Sequence, residues 1–233
     1  ERSGESKISF THLIGYAIVR AIADAVPNMK HVYSVDEQGK PQIKKFSRVN
    51  MGLAVDVDKG KGQRSLVVPV LRNADTLDFA GFLLTYEDII RKVRANKLTL
   101  DDFQGANVSL TNPGTIGTQM SVPRLMAGQG LIVGVGSIDY PAEFQGSDER
   151  ALGRLGVSKV VTITSTYDHR IIQGAESGMF LKYVHELLTG EHNFYADVFS
   201  SLGVPYESVK WHDDSNSLDS EDALLEKQMQ IAT

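Results

Sequence analysis

A histidine between a predicted strand and a predicted helix carries the strongest chemical signal in the sequence. The segment runs from Thr162 to Gly174 and reads TITSTYDHRIIQG. Its β-branched residues alternate as in a half-buried strand, and the polar residues Asp168, His169 and Arg170 follow them. A histidine between a carboxylate and a guanidinium at such a junction can serve as a general base. The bare tripeptide is more often found as a structural histidine in a surface turn.

The elements that must position this histidine mix α and β without the regular alternation of a Rossmann fold. Amphipathic spacing predicts helices over 10–26, 75–97, 174–188 and 194–202. Apolar runs predict strands over 49–57, 66–71, 107–110, 131–135 and 158–166, and a hairpin over 31–44. Pro69 marks an edge or a bulge within its strand. We expect a polar loop over 141–156, and a structural role for His12 near the start of the first helix.

Composition limits the class of protein. The chain has 233 residues, 42% of them hydrophobic and 23% charged, which suits one sizeable domain and an extension. No run approaches the roughly 20 apolar residues of a membrane span and no secretory leader is visible, so we expect a cytoplasmic protein without membrane contact. The chain has no cysteine, which excludes disulfides, thiolate metal sites and a cysteine nucleophile. The net charge of -5 weighs against nucleic-acid binding.

Two glycine-rich stretches do not have the context of nucleotide-binding motifs. GQGLIVGVG leads into a predicted strand, whereas a dinucleotide fingerprint follows a strand and opens a helix. DKGKGQR lacks the spacing and the Ser or Thr of a phosphate-binding loop. No group of histidines and carboxylates has metal-ligand spacing, so we expect no metal.

The histidine segment resembles the C-terminal signature of the acyltransferase component of 2-oxo acid dehydrogenase complexes, which shares its fold with chloramphenicol acetyltransferase. Three further segments are similar in the family's order: GYAIVRAIADAVPNMK, VNMGLAVDVDKGKGQRSLVVPVLRNADTLDF and NVSLTNPGTIGTQMSVPRLMAGQGLIVGVGSI. The match runs from Ile8 to Leu188. Within the family, TNPGTIGTQMSVPRLM, GVGSIDYPAEFQG and TSTYDHRIIQGAESG resemble the acyltransferase domain fused to the thiamine-dependent part of actinobacterial 2-oxoglutarate dehydrogenase or decarboxylase.

The resemblance implies acyl transfer, most closely of a succinyl group, between the substrates dihydrolipoamide and coenzyme A in the tricarboxylic acid cycle. It implies that His169 is the general base and that Thr111 donates a hydrogen bond to the tetrahedral oxyanion. The family draws these two residues from adjacent subunits of a trimer. Gln173 departs from the pattern, because the family has Asp or Asn four residues after the histidine. Asp168 and Arg170 are expected to hold the loop, with Gln173 as a possible orienting group.

The resemblance also implies a channel for coenzyme A. Asn112 and Ser121 lie in matched segments and are expected to line it. Because coenzyme A carries phosphates, the basic residues of the matched loops are candidates for its binding: Lys59, Lys61, Arg64, Arg72 and Arg124.

The implied fold is an α/β (α+β) two-layer sandwich with a mixed, mostly antiparallel sheet and helices on one face, forming a trimer that assembles no further. Residues 1–190 are expected to be the catalytic domain without the family's N-terminal part, since the chain starts at Glu1 like the middle of a longer protein. Residues 191–233 are expected to be an extension with an acidic linker at 213–222 and a helix from 221. The following module would hold thiamine diphosphate and Mg. The expected partners are a lipoyl-bearing protein and other complex components.

Two alternatives remain. Gln173 is compatible with an assembly scaffold that kept the fold and trimer contacts but has little transferase activity. An acetyltransferase of the chloramphenicol type is also compatible with the fold, although the linker-like tail argues against it.

Overall fold

A six-stranded mixed sheet, a layer of helices and a separate two-stranded hairpin make up the protein. The computed structural model describes residues 8–58, 60 and 62–206. The strands are β1 (Val32–Val35), β2 (Pro41–Lys44), β3 (Met51–Asp58), β4 (Arg64–Val67), β5 (Val70–Leu71), β6 (Val108–Thr111), β7 (Leu131–Val135) and β8 (Ile163–Tyr167). The α-helices are α1 (Phe10–Asp24), α2 (Phe79–Arg94), α3 (Glu149–Arg154), α4 (Gly174–Leu188) and α5 (Phe194–Ser201).

The sheet has a parallel centre and antiparallel edges. Its strand order is β4-β3-β6-β7-β8, and β5 also pairs with β3. The β3–β6 and β6–β7 pairs are parallel, whereas the pairs that β3 forms with β4 and β5, and that β7 forms with β8, are antiparallel. The predicted mixed, mostly antiparallel sheet is confirmed. The separate hairpin is β1 paired with β2, as predicted.

The helices cover one face of this sheet. Alternate residues of the central strands, such as Leu53, Leu110 and Val133, belong to the same buried cluster as the apolar faces of α1, α2, α4 and α5. Ser165 of β8 points the same way, since its hydroxyl hydrogen-bonds that of Ser177 on α4 at 2.5 Å. The predicted two-layer arrangement is therefore confirmed.

The second predicted helix begins later than the apolar spacing indicates. Residues 74–76 form a short 3-10 turn, and α2 starts at Phe79. Asp78 fixes this start, because its carboxylate accepts a hydrogen bond from the backbone N–H of Gly81 at 2.8 Å.

Three other sequence predictions were wrong in their bounds. The strand predicted at 66–71 is broken after Val67, because Pro69 has no N–H and instead accepts a bond from Leu53 N–H at 2.8 Å. The strand predicted from residue 158 starts at Ile163, preceded by one isolated bridge from Val160. The loop predicted at 141–156 contains α3, whose N-cap, Asp148, accepts a bond from Ala151 N–H at 2.9 Å.

Helix α5 belongs to the same core as the sheet. Phe194 and Val198 are 1% and 3% exposed and lie in the main hydrophobic cluster, so the core extends beyond residue 190. The predicted acidic linker at 213–222 and the helix predicted from 221 lie outside the described residues, as do Lys59 and Lys61. Among the helices that the structure describes, none has the length and apolar character needed to cross a membrane.

Gly130 provides a test of the packing beneath the histidine segment. A Cβ atom at Gly130 would lie 2.0 Å from the carbonyl oxygen of His31, and hydrogen bonds of 3.0 Å to Asn107 and from Asp168 fix its backbone. We expect Gly130→Ala to lower the free energy of unfolding by about 1–3 kcal/mol. Gly178→Ala, in α4 with no atom within 4 Å, should raise it by about 0.5–1 kcal/mol. Urea denaturation measures both changes in the free energy of unfolding. Equal denaturation midpoints for the two variants would contradict this packing.

Candidate active site

His169 lies in a tight turn between β8 and α4. The carbonyl oxygen of Asp168 accepts the backbone N–H groups of Ile171 and Ile172 at 3.1 and 3.0 Å. Both isoleucine side chains are buried and anchor the turn in the core. His169 itself is exposed, and its ring lies 5.5 Å from that of Tyr167 between centroids. The fold therefore presents an accessible imidazole on a turn with a fixed backbone.

An ion pair holds the same turn. The carboxylate of Asp168, with 9% of its side chain exposed, accepts hydrogen bonds from Arg170 Nε at 2.8 Å and Nη2 at 2.6 Å. The hydrogen bonds from Arg170 hold the pKa of the Asp168 carboxyl below its ordinary value. The Arg170 guanidinium also stacks on the ring of Tyr33 at 3.5 Å. In the described part of the chain neither group hydrogen-bonds the imidazole of His169, so the pair fixes the turn rather than the ring.

Gln173 occupies the first position before α4. Its backbone N–H donates to Glu176 Oε2 at 2.7 Å, while its side chain is exposed. Glu176 Oε1 in turn accepts a bond from Asn28 Nδ2 at 2.8 Å. No hydrogen bond joins Gln173 to His169 among the described residues, so an orienting role for Gln173 stays a prediction.

Thr111 ends β6 beside a cavity of about 780 Å³. The start of α1, the outer part of β3, β4 and α2 form its other walls. Asn112 lines the same cavity and donates from Nδ2 to Thr11 Oγ1 at 2.8 Å. The volume falls within the range of about 300–1,000 Å³ that is usual for small-molecule sites.

A buried histidine forms part of the cavity wall. His12 is 3% exposed; its Nδ1 accepts the N–H of Ser9 at 3.2 Å, and its Nε2 lies 3.0 Å from Glu87 Oε1. Because Nδ1 is an acceptor, the proton lies on Nε2 and is donated to Glu87. Burial lowers the pKa of His12, against the opposing effect of Glu87, and burial raises the pKa of neighbouring Tyr86 to about 12. Both ring nitrogens have partners, which supports a structural role for His12.

The register of the sheet separates the two main candidates. Thr111 pairs with Gly134, which pairs with Thr164 of β8. His169 lies beyond the opposite end of β8, two residues after Tyr167. Thr164 and Tyr167 are three residues apart, which is about 10 Å along a strand. His169 and Thr111 therefore lie at opposite ends of the sheet within one protomer.

The other predicted channel residues are dispersed. Arg64 lines the Thr111 cavity, with Nε 2.6 Å from Asp56 Oδ2. Arg72 lies outside this cavity and donates from Nη2 to Asp101 Oδ1 at 2.9 Å. The structure thus brings Arg64 together with Thr111 and Asn112, and places Arg72 elsewhere.

Ser121 lies on the face of the sheet that the helices leave open, and Arg124 follows three residues later. The carbonyl oxygen of Ser121 accepts a hydrogen bond from the hydroxyl of Thr164, and a Cβ atom on Gly134 would touch this segment. Arg124 is exposed and has no partner among the residues described. Neither residue lines the cavity beside Thr111.

Sequence reasoning did not identify Asn28 and Glu176. Glu176 had a local signal, since a carboxylate three residues after the N-cap is the spacing of a capping box. Asn28 lies in GYAIVRAIADAVPNMK, which resembles the family helix ending in Pro and Asn, but its contacts had no local signal, because its partners Ile171 and Glu176 lie 143 and 148 residues away in the sequence.

Comparison with solved structures defines the class of protein. The fold resembles a truncated catalytic core of the 2-oxoacid dehydrogenase multienzyme complex from Thermoplasma acidophilum, with a TM-score of 0.62 and 26% identity. The match covers 82% of this chain and 78% of that one. The fold is therefore that of a catalytic core of this kind of multienzyme complex.

The sequence comparisons identify the family. Residues 1–195 match the 2-oxoacid dehydrogenases acyltransferase (catalytic domain) family, and the chain belongs to it, which confirms the resemblance. Over 216 residues the chain is 54% identical to the multifunctional 2-oxoglutarate metabolism enzyme of Mycobacterium sp. (strain JLS), covering 92% of this chain and 17% of that protein. Over 214 residues it is 52% identical to the 2-oxoglutarate dehydrogenase E1/E2 component of Corynebacterium glutamicum, with the same coverage. The chain thus spans a small part of these relatives.

The ion pair in the histidine turn predicts a pH-dependent stability. Because the pKa of Asp168 is lowered in the folded state, its stabilising effect is complete above the ordinary carboxyl pKa of about 3.9 and is lost as the pH falls through the lower folded value. Asp168→Asn should therefore lower the free energy of unfolding at pH 7, and the difference from wild type should shrink below about pH 4. Denaturation at several pH values measures this, and a constant difference down to pH 3 would contradict the assignment.

Proposed function

We propose that the chain transfers a succinyl group between dihydrolipoamide and coenzyme A, as the acyltransferase part of a 2-oxoglutarate dehydrogenase. The observation that carries the proposal is the exposed imidazole of His169 on a turn fixed by buried residues and an ion pair. The acyl group is proposed from the relatives, which are named for 2-oxoglutarate metabolism.

The chemistry requires a base near neutral pH. A thiol has a pKa of about 8.5 and is mostly protonated at pH 7. Neutral His169 would take this proton as the sulfur attacks the thioester carbonyl, whose electron pair moves onto oxygen. Collapse of the tetrahedral intermediate breaks the original carbon–sulfur bond, and the departing thiolate takes the proton back from the imidazolium. Thr111 would donate its hydroxyl hydrogen bond to the oxyanion in between.

This mechanism needs two protomers. Since His169 and Thr111 lie at opposite ends of one sheet, we place the imidazole of one protomer against the Thr111 of the next. A cyclic trimer suits such a site, because each subunit presents different surfaces to its two neighbours. Exposed apolar side chains support an interface here: Ile116, on the wall of the Thr111 cavity, is 73% exposed, and Met120 and Val122, which flank Ser121, are 61% and 72% exposed.

The cavity beside Thr111 would hold the thiol-bearing arm of the substrate, with Asn112 and Arg64 on its walls. Arg124, which is exposed, is a candidate for the phosphates of coenzyme A, and Ser121 lies three residues before it. Arg72 is paired with Asp101 and lies outside the cavity, which makes it less suitable than Arg64, whose guanidinium is also paired but lines the cavity. Gln173 follows His169 by four residues and would orient the imidazole only through its uncharged side-chain amide.

The wider assignment follows the relatives. We propose that a lipoyl-bearing protein supplies the acyl group, that other dehydrogenase components assemble with the trimer, and that thiamine diphosphate and Mg bind in a separate module, to which residues 191–233 lead. The sequence without cysteine fits the reducing cytoplasm, where we place the reaction.

Thioester formation tests the proposal. Purified protein mixed with coenzyme A and succinyl-dihydrolipoamide should yield succinyl-coenzyme A. His169→Ala should lower kcat by about 10²–10⁴-fold, since a general base contributes that much, and Thr111→Ala by about 10²–10³-fold, as for the loss of an oxyanion donor. His185→Ala, an exposed histidine in the last turn of α4, should retain the wild-type rate.

Each other outcome has a distinct meaning. Unchanged turnover in His169→Ala would exclude His169 as the base. Product from acetyl or branched-chain donors alone would overturn the succinyl assignment. No product from any donor would favour the assembly scaffold.

A further inference from the structure

Asn28 contacts the histidine turn from a distant part of the chain. It lies in the 3-10 turn Pro27–Lys30 that follows α1. Its Nδ2 is 3.0 Å from the carbonyl oxygen of Ile171 and 2.8 Å from Glu176 Oε1. A side-chain amide nitrogen carries two hydrogens, so Asn28 uses both of them on the segment that follows His169.

Glu176 extends this contact to the start of α4. Its second oxygen, Oε2, accepts the backbone N–H of Gln173 at 2.7 Å. Both carboxylate oxygens of Glu176 thus have hydrogen-bond partners, Asn28 Nδ2 for one and the backbone N–H of Gln173 for the other. We call Asn28 and Glu176, with the three hydrogen bonds they make, the Asn28–Glu176 clamp. It holds the chain two residues after His169, at Ile171, and four residues after it, at Gln173.

The clamp is fixed to the core at its other end. Met29, next to Asn28, is fully buried and its N–H donates to Val26 at 3.1 Å. The carbonyl oxygen of His31 packs directly on Gly130, where a Cβ atom would clash at 2.0 Å. The 3-10 turn therefore provides a rigid reference against which the histidine turn is positioned.

The clamp and the ion pair act on different sides of the imidazole. Asp168 and Arg170 fix the residues that flank His169 and tie them to Tyr33 of β1. The clamp fixes the exit of the turn into α4. If only one of the two contacts were present, the turn could pivot about that contact.

We propose that Asn28 is a positioning residue for His169, acting through Glu176 and the carbonyl of Ile171. The inference rests on the proposed function, in which His169 is the base for a thiol bound at the next protomer. A base must reach its proton at hydrogen-bond distance, and a misplacement of about 1 Å can reduce the rate by about 10²-fold. The clamp sets this distance without touching the substrate.

Asn28→Asp tests the clamp with little change of shape. The new carboxylate cannot donate to Ile171 or Glu176 and repels both acceptors. We expect kcat to fall by about 10- to 100-fold, while KM for coenzyme A stays within about twofold because uniform binding is unaffected. Asn96→Asp, the same change at an exposed turn after α2, should leave both constants unchanged.

A second substitution distinguishes loss of positioning from a general loss of structure. In Asn28→Asp combined with Glu176→Gln, the new amide can donate to residue 28 while its oxygen still accepts the Gln173 N–H. The double variant should recover about tenfold in kcat over Asn28→Asp alone, as expected for one charge-assisted hydrogen bond regained. Wild-type kcat in Asn28→Asp, or no recovery in the double variant, would overturn the proposal.

Hydrogen exchange keeps the test independent of the reaction. In Asn28→Asp the amide of Gln173 should exchange at least about tenfold faster than in wild type, while amides of the central strands keep their protection. An unchanged Gln173 exchange rate would overturn the clamp. If wild type makes no thioester but this amide responds as expected, the proposed function fails and the clamp stands as a structural contact only.

Discussion

The antiparallel pairing of β8 with β7 determines where this protein can do chemistry. The parallel strands β6 and β7 end at one side of the sheet, where Thr111 meets its cavity. Because β8 runs the other way, it delivers His169 to the opposite side. The division of the proposed site follows from this reversal, since the two reactive groups must then come from different protomers. In the proposed mechanism a trimer is part of the active site and not merely an assembly of complete sites.

Each half of the site is built for rigidity. The histidine turn is held by the Asp168–Arg170 pair, by buried Ile172 and by the Asn28–Glu176 clamp. The Thr111 half lies at the end of a central strand. Groups that are held before the reaction need no ordering during it, which favours catalysis by positioning. The exposed surfaces between the halves are then left to bind the neighbouring subunit.

Local pattern was sufficient for most elements and for the histidine turn. The apolar spacing of α1 and α4 and the runs of β6 and β7 are strong signals, because their inward faces are continuous. Strand direction and register have no such signal, and they decide the separation of His169 from Thr111. The clamp also has none, since Asn28 meets Ile171 only through folding. Pro69 predicted an edge or a bulge, but not the break of the strand that its missing N–H causes. Helix α3 depends on one Asp cap, in a segment that was predicted to be a loop.

The central claim is that one site uses His169 of one protomer and Thr111 of another. Co-expression of His169→Ala and Thr111→Ala chains in equal amounts tests it most directly. In mixed trimers some interfaces combine an intact His169 with an intact Thr111, about one quarter of all interfaces if association is random. A site shared between protomers predicts about a quarter of wild-type thioester formation from the mixture and almost none from either variant alone. Mixed oligomers that form, as shown by mass, but remain as inactive as each variant would contradict it.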